Sequence, residues 1–324
     1  VYGTAHIEAR YRSLIAALAA GIRSLNVESA EELELIASRA AALGKRAPVA
    51  LRINPDVDPD THPYLATGLR ESKFGIPMER GLELALRAAA IDSLELVGFA
   101  CHIGSQITES APFLDSLARL RTLMDALAER GIRLRSLDLG GGLGIAYQGG
   151  DPVLEAESWG RALVEATADL DCELVLEPGR YLVGNAGVLL TSVVTRKQGE
   201  SKKFVIVDAA MNDLIRPALY EAYHAIVPVE LPPTEVALEV VDIVGPICES
   251  GDFLAHERAL PWPEHGALLA VLGAGAYGMV MASTYNTRPL APEVLVAGDR
   301  WSVVRPRRSV EALLDDERYP EWLR

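Results

Sequence analysis

The chain has 324 residues, 49% of them hydrophobic, enough for one large domain or two ordinary ones with a sizeable core. Its 31 basic and 45 acidic side chains leave a net charge of −14, which argues against nucleic acid or an anionic membrane surface as partner, since both need concentrated positive charge. Three scattered cysteines exclude a disulfide framework, and with no long apolar span and no secretory leader in the sequence a reducing, cytoplasmic setting is expected.

Residues 7–18 carry apolar side chains at helical spacing, and 24–27 then reads as a strand. Ser29 and Glu32 fit a capping box for a helix ending near Gly44, and 48–53 is the next strand. The turn-rich stretch Asn54-Pro55-Asp56-Val57-Asp58-Pro59 breaks the pattern. Further strands at about 94–101, 134–139 and 173–177 alternate with helices at about 78–90, 110–130 and 155–169. Five strand–helix units so spaced suit a (β/α) barrel or an open α/β sheet. From about residue 188 the texture changes. Short β-prone runs at 188–194, 203–208, 235–244, 267–272, 293–296 and 301–305, split by Pro and Gly, predict a mostly antiparallel second domain. A short helix at 217–224 and a C-terminal helix from Val310 complete the elements.

Three apolar runs end in polar and glycine clusters. Residues 94–101 lead into His102-Ile103-Gly104-Ser105-Gln106, 134–139 into Gly140-Gly141-Gly142-Leu143-Gly144, and 173–176 into Glu177-Pro178-Gly179-Arg180. In a parallel α/β fold strand C-termini share one face, so the three clusters should converge on one site, and that points to an enzyme. A glycine run lets backbone N–H groups approach a phosphate, although alone it is equally a flexible turn. Ile145 stands where a G-x-G-x-x-G fingerprint needs glycine and no P-loop occurs, so neither nucleotide motif is supported. The histidines lack metal-ligand spacing, and no metal is expected. In the second domain, Cys248-Glu249-Ser250-Gly251-Asp252 reads as a loop with an accessible thiol, and Gly275-Ala276-Tyr277-Gly278 as a turn with one large polar side chain.

Together, in this order, the clusters resemble the diaminopimelate decarboxylase family, within the fold-type III, alanine-racemase-like decarboxylases that use pyridoxal 5′-phosphate. His62-Pro63-Tyr64, Lys73-Phe74-Gly75 and Arg216-Pro217-Ala218-Leu219-Tyr220 strengthen the likeness, which spans nearly the whole chain. The resemblance implies a (β/α)8 TIM-type barrel over 1–187 that binds the cofactor, then a mostly antiparallel β domain over 188–324, in a homodimer with shared active sites. It implies that Glu177 pairs with the pyridinium nitrogen and that His102 stacks on the ring. Ser105, Gly140, Gly141, Gly142 and the Pro178-Gly179-Arg180 backbone would hold the phosphate, with Tyr277 closing over it. Arg180, Arg216 and Tyr220 would bind substrate carboxylate, and Glu249 the distal ammonium. Cys248, from the partner subunit, would protonate the carbon that CO2 leaves.

One family feature is absent. The lysine that bonds the cofactor ends an Ala-Val-Lys-Ala-Asn-like strand, and none of Lys45, Lys73, Lys197, Lys202 and Lys203 stands in such a motif. The helix at 7–18 passes straight to what resembles the fourth barrel strand, so a gap near 18–21 and the loss of three barrel strands are expected. Removing three units would unpartner roughly ten core side chains at ~1.5–3 kcal/mol each, against a total stability of ~5–15 kcal/mol, so the segment is expected to belong to the protein. The reaction implied is decarboxylation of meso-2,6-diaminopimelate to L-lysine. The alternatives are a relative acting on another amino acid and, were the lysine truly absent, an inactive binding or regulatory homologue.

Overall fold

The computed structural model describes residues 2–3, 11–59, 68, 73–230 and 236–323. His6 and His62-Pro63-Tyr64 lie outside the described residues. The chain divides into two units, Val1–Ile145 with Pro152–Tyr181, and Ala146–Asp151 with Leu182–Arg324.

The first unit alternates strands and helices: β1 (Tyr2–Gly3), α1 (Tyr11–Ala20), β2 (Leu25–Val27), α2 (Ala30–Ala42), β3 (Ala47–Asn54), β4 (Ile76–Pro77), α3 (Met78–Ala90), β5 (Leu94–Ala100), α4 (Ala111–Ala128), β6 (Ser136–Asp138), α5 (Ala156–Ala166) and β7 (Glu173–Val175). The strands lie side by side in the order β1-β2-β3-β5-β6-β7, every neighbour parallel, with β4 added to β3. This is the strand order of a (β/α) barrel, and it sets every strand's C-terminus on one face. The capping box is formed: Ser29 Oγ accepts the Glu32 N–H at 3.1 Å, and Glu32 Oε2 accepts the Glu28 N–H at 2.7 Å.

One expectation is corrected. Among the described residues six strands lie along the sheet path rather than five, because β1 is too short to show a period. α1 ends at Ala20, Gly21 turns the chain at φ +67°, and β2 then runs parallel to β1 with Tyr2 opposite Leu25. Lys45 Nζ, 2.7 Å from the Leu18 carbonyl, caps the end of α1. The connection is one ordinary strand–helix–strand unit.

The core between sheet and helices is aliphatic and aromatic. Leu25, Leu33, Ile36, Leu51, Leu94, Phe99 and Leu137 are fully buried. Phe113 on α4 meets Trp159 on α5 edge to face, with ring centroids 5.2 Å apart.

The second unit contains β8 (Leu189–Gln198), β9 (Lys203–Val207), α7 (Arg216–Tyr220), β10 (Ile226–Pro228), β11 (Leu238–Val244), β12 (Phe253–Pro261), β13 (Leu268–Val271), β14 (Glu293–Ala297), β15 (Arg300–Arg305) and α8 (Val310–Leu313). One sheet runs β10-β13-β8-β9-β11-β12, antiparallel except where β9 meets β11, and β14 and β15 form a separate hairpin. β12 escapes the sequence pattern because His256-Glu257-Arg258 interrupts its apolar character. Beside it the buried Asp242 accepts the Glu257 N–H at 2.9 Å and pairs with Lys202 and His256 at 2.7 and 3.1 Å. The helix expected over 217–224 stops at Tyr220, where Glu221 takes a left-handed conformation, φ +52°.

The aromatic pair between α4 and α5 gives a direct test of the packing. Phe113→Ala should destabilise the first unit by about 3–5 kcal/mol in urea unfolding, as expected for a large-to-small change at a buried ring. A loss below about 1 kcal/mol would show that the α4–α5 contact does not hold the barrel helices.

Candidate active site

The loops after β5, β6 and β7 are locked together by the glycine run. Gly140 and Gly142 take positive φ, +69° and +113°, where L side chains are strained. Space is as tight as conformation: a Cβ would strike the Cys101 carbonyl from Gly140, the Glu177 carbonyl from Gly141 and the Gly104 carbonyl from Gly142. Backbone bonds complete the lock, with Cys101 N–H donating to the Asp138 carbonyl, Glu177 N–H to Gly140 and Ile107 N–H to Gly142, each at 2.8 Å.

This packing gathers His102, Ser105, Gly140–Gly142 and Glu177-Pro178-Gly179-Arg180 at the strands' C-terminal face. His102 Nδ1 accepts the Gly141 N–H at 3.2 Å, which assigns the ring proton to Nε2. Burial, helped by the Arg52 charge, lowers this imidazole to about 4, so the ring is neutral at pH 7. Arg180 is buried in the turn (Gly179–Val183, α6) that follows β7, and its Nη2 lies 3.1 Å from Ser105 Oγ. The Glu177 side chain is exposed.

Asp138, at the end of β6, is a residue the motif reading passed over. It is 5% exposed, and its Oδ1 accepts the Gly140 N–H at 2.8 Å. Burial first, and the Glu177 charge second, raise it to about 6. Its position two residues before the glycine run was the only sequence signal available.

The remaining expected residues belong to the second unit. Arg216 opens α7 and is buried, with Nη1 2.8 Å from His224 Nε2 and its guanidinium carbon 4.6 Å from the Tyr147 ring centroid. Tyr220 closes the same helix and is half-buried. Cys248 is the exposed cysteine of the three, whereas Cys101 is buried and burial pushes its thiol up to about 12. Glu249 is exposed and accepts a hydrogen bond from the Tyr285 hydroxyl at 2.8 Å. Asp252 fixes this loop: Oδ2 accepts the Ile247 N–H at 2.6 Å and Oδ1 the Met211 N–H at 2.7 Å. Tyr277 is exposed at φ +58°, in a turn where a Cβ on Gly275 would strike the Val183 carbonyl. Strain at a bulky exposed residue is characteristic of functional turns. The candidate residues therefore form two groups, one in each unit. Asp252, the end of the Cys248 cluster, joins the second with Tyr147, His224 and Tyr285, and none of these last three has a local motif that would have flagged it.

Comparison with known proteins identifies the arrangement. Residues 5–184 match the family model described as pyridoxal-dependent decarboxylase, pyridoxal binding domain. The Pseudomonas aeruginosa diaminopimelate decarboxylase is 54% identical over 301 residues, covering 93% of this chain and 72% of that protein. The Archaeoglobus fulgidus diaminopimelate decarboxylase is 48% identical, covering 94% and 73%. The crystal structure of the Helicobacter pylori diaminopimelate decarboxylase complexed with L-lysine superimposes with a TM-score of 0.88 at 40% identity, covering 93% and 74%.

The chain belongs to the diaminopimelate decarboxylase family. It is a pyridoxal-phosphate-dependent carbon–carbon lyase of lysine biosynthesis, with the barrel-plus-β architecture of the fold-type III decarboxylases. The first-unit cluster fits the cofactor's ring and phosphate. It offers a flat neutral imidazole, a carboxylate, a hydroxyl beside a guanidinium, and a turn whose glycines a Cβ would block. None of the five lysines joins it: Lys45 caps α1, Lys73 lies over the Phe74 ring, and Lys197, Lys202 and Lys203 are in the second unit.

Asp138 and His102 titrate with opposite consequences. Asp138, raised to about 6, favours the fold when protonated, so its contribution grows as pH falls from about 6 towards 4. His102, lowered to about 4, favours the fold when neutral, so its contribution is lost as pH falls from about 6.5 to 4. At about 1.4 kcal/mol per pKa unit each term is about 3 kcal/mol, and the two nearly cancel. Asp138→Asn keeps an acceptor for Gly140 and removes only the first term. Urea unfolding at pH 7, 5.5 and 4.5 should show this variant losing stability on acidification more steeply than its parent. Parallel curves would contradict the assignment.

Proposed function

We propose that the protein decarboxylates meso-2,6-diaminopimelate to L-lysine and CO2, with pyridoxal 5′-phosphate held by the strand-end cluster of the first unit. The observation that carries this reading is the close approach of Gly140–Gly142 to Cys101, Gly104 and Glu177, which draws a ring-stacking imidazole, a carboxylate and an anion site together.

When bound, the cofactor supplies an electron sink for the pair left behind as CO2 departs. The chain's own residues do the rest. Glu177 holds a proton on the ring nitrogen, and His102, neutral and fixed through Nδ1, covers the ring face. Ser105, the glycine turn and the Pro178-Gly179-Arg180 backbone receive the phosphate, and Tyr277 closes over it. Arg180, Arg216 and Tyr220 orient substrate carboxylate, and Glu249 takes the distal ammonium, which is how a second amino-acid head is read. The partner's Cys248 delivers a proton from Sγ to the carbon that CO2 leaves, which makes a homodimer part of this reading. The barrel domain, residues 1–187, carries the cofactor chemistry, and the β domain, 188–324, carries the recognition of the second head. A cytoplasmic location accords with free cysteines, and among the described residues no helix is long and apolar enough to cross a membrane.

Substrate selectivity tests the reading. Glu249→Gln and Arg216→Gln should each lower kcat/KM for meso-diaminopimelate roughly 10–100-fold, the worth of one charge-assisted hydrogen bond, and that for a monocarboxylic amine far less. Equal losses of Arg216→Gln on both substrates would contradict recognition of a second head.

A further inference from the structure

Two loops of the second unit meet at the Glu249 side chain, and a third segment ties both of them down. The Tyr285 hydroxyl donates to Glu249 Oε2 at 2.8 Å. The common anchor is the segment around Met211 and Asn212. On one side Asp252 Oδ1 accepts the Met211 N–H at 2.7 Å while its Oδ2 accepts the Ile247 N–H at 2.6 Å, which fixes the loop carrying Glu249. On the other, Asn212 is 2% exposed and donates from Nδ2 to the Ser283 carbonyl at 3.0 Å, and its own carbonyl accepts the Ser283 N–H at 2.9 Å. Arg288 closes the second loop, with Nε donating to Asn212 Oδ1 at 2.8 Å and Nη2 to the Asp208 carbonyl at 2.5 Å. Between these two anchors the chain turns through Asn286 and Thr287, both left-handed at φ +55° and +57°. That conformation is an outlier for a β-branched residue such as Thr287, and it persists only where flanking contacts impose it. Its effect is to present Tyr285 to Glu249. The hydrogen bond to Glu249 raises the Tyr285 hydroxyl above the usual phenol range, so the phenol stays protonated and is the donor.

We infer that Tyr285 is a positioning residue for substrate selection, whose hydroxyl holds the Glu249 carboxylate where the ammonium of a second amino-acid head is received. The inference rests on the reading of Glu249 given under the proposed function. Glu249 is an exposed, rotamer-rich side chain, and ordering it only when a ligand arrives costs affinity. A fixed donor on Oε2 meets part of that cost before the ligand binds. A Cβ on Gly251 would stand 3.3 Å from the other oxygen, Oε1, so glycine at that position keeps the approach to it open. A phenol is also neutral, and so brings no positive charge to compete with the incoming ammonium as a lysine or arginine in its place would.

The test uses two ligands that differ only in that ammonium. L-lysine, the product of the proposed reaction, keeps the second head intact, and 6-aminohexanoate is the same molecule without its α-amino group. Calorimetric titration of the holoenzyme with each ligand compares the parent with Tyr285→Phe, Glu249→Gln and the double variant. Expected for Y285F is a dissociation constant for L-lysine weaker by roughly 3–10-fold, with that for 6-aminohexanoate within about 2-fold of the parent. Because Tyr285 acts through Glu249, the double variant should bind L-lysine no more weakly than E249Q. Unchanged binding of L-lysine by Y285F would overturn the inference. So would equal weakening towards both ligands, the mark of a merely structural role, and so would a double variant weaker than E249Q by the full Y285F factor. E249Q separates the two claims. If it weakens L-lysine selectively while Y285F binds like the parent, only the role of Tyr285 falls. If E249Q binds both ligands like the parent, the reading of Glu249 fails and the inference with it.

Discussion

Everything in the first unit's site depends on three carbonyls standing where side chains would have to be. The Cys101, Gly104 and Glu177 carbonyls press against Gly140, Gly142 and Gly141, so the loops after three parallel strands meet at backbone distance. Parallel strands bring their C-termini to one face, but they leave a strand's width between neighbouring loops. Removing three consecutive Cβ atoms closes that interval. His102, Ser105, Glu177 and Arg180 then come within reach of one ligand although they lie on two loops 75 residues apart in sequence. The conformational freedom lost by three glycines is a general cost of such a junction, and two of them also supply positive φ that no other residue adopts as cheaply.

The electrostatics follow from the same closeness. Asp138 is drawn under the glycine turn to accept the Gly140 N–H, and that burial raises its proton affinity. His102 is drawn beside Gly141 and loses its proton readily for the same reason. A neutral ring presents a flat face to an aromatic cofactor without repelling a protonated pyridine. The second unit solves a different problem by similar means. Asp252 ties the Cys248 loop through backbone N–H groups, and the imidazole of His224 lies 2.8 Å from the Arg216 guanidinium.

The sequence revealed the fold class and the family because both are written in short-range signals. Strands 48–53 and 94–101 and the helices of 78–90 and 110–130 show clear periods, and the glycine, Glu-Pro-Gly-Arg and Cys-Glu-Ser-Gly-Asp clusters sit intact in the chain. What escaped was non-local. β1 is two residues long and is a strand only because β2 lies beside it, so it shows no period of its own. β12 is a strand because β11 pairs with it, with Asp242 accepting its Glu257 N–H and pairing with its His256. Asp138, Tyr147, His224 and Tyr285 matter through partners that only the folded chain brings to them.

The central claim is that the glycine contact builds the cofactor site, and a spectrophotometric titration of pyridoxal 5′-phosphate into the protein and its Gly141→Ala variant tests it most directly. Gly141 is the position where a methyl group would meet the Glu177 carbonyl without any demand for positive φ. The account predicts saturable binding by the parent and at least a roughly 10-fold weaker dissociation constant for the variant, about 1.4 kcal/mol, with Phe113 and Trp159 still giving a folded near-ultraviolet signal. Equal affinity in a folded Gly141→Ala protein would contradict it.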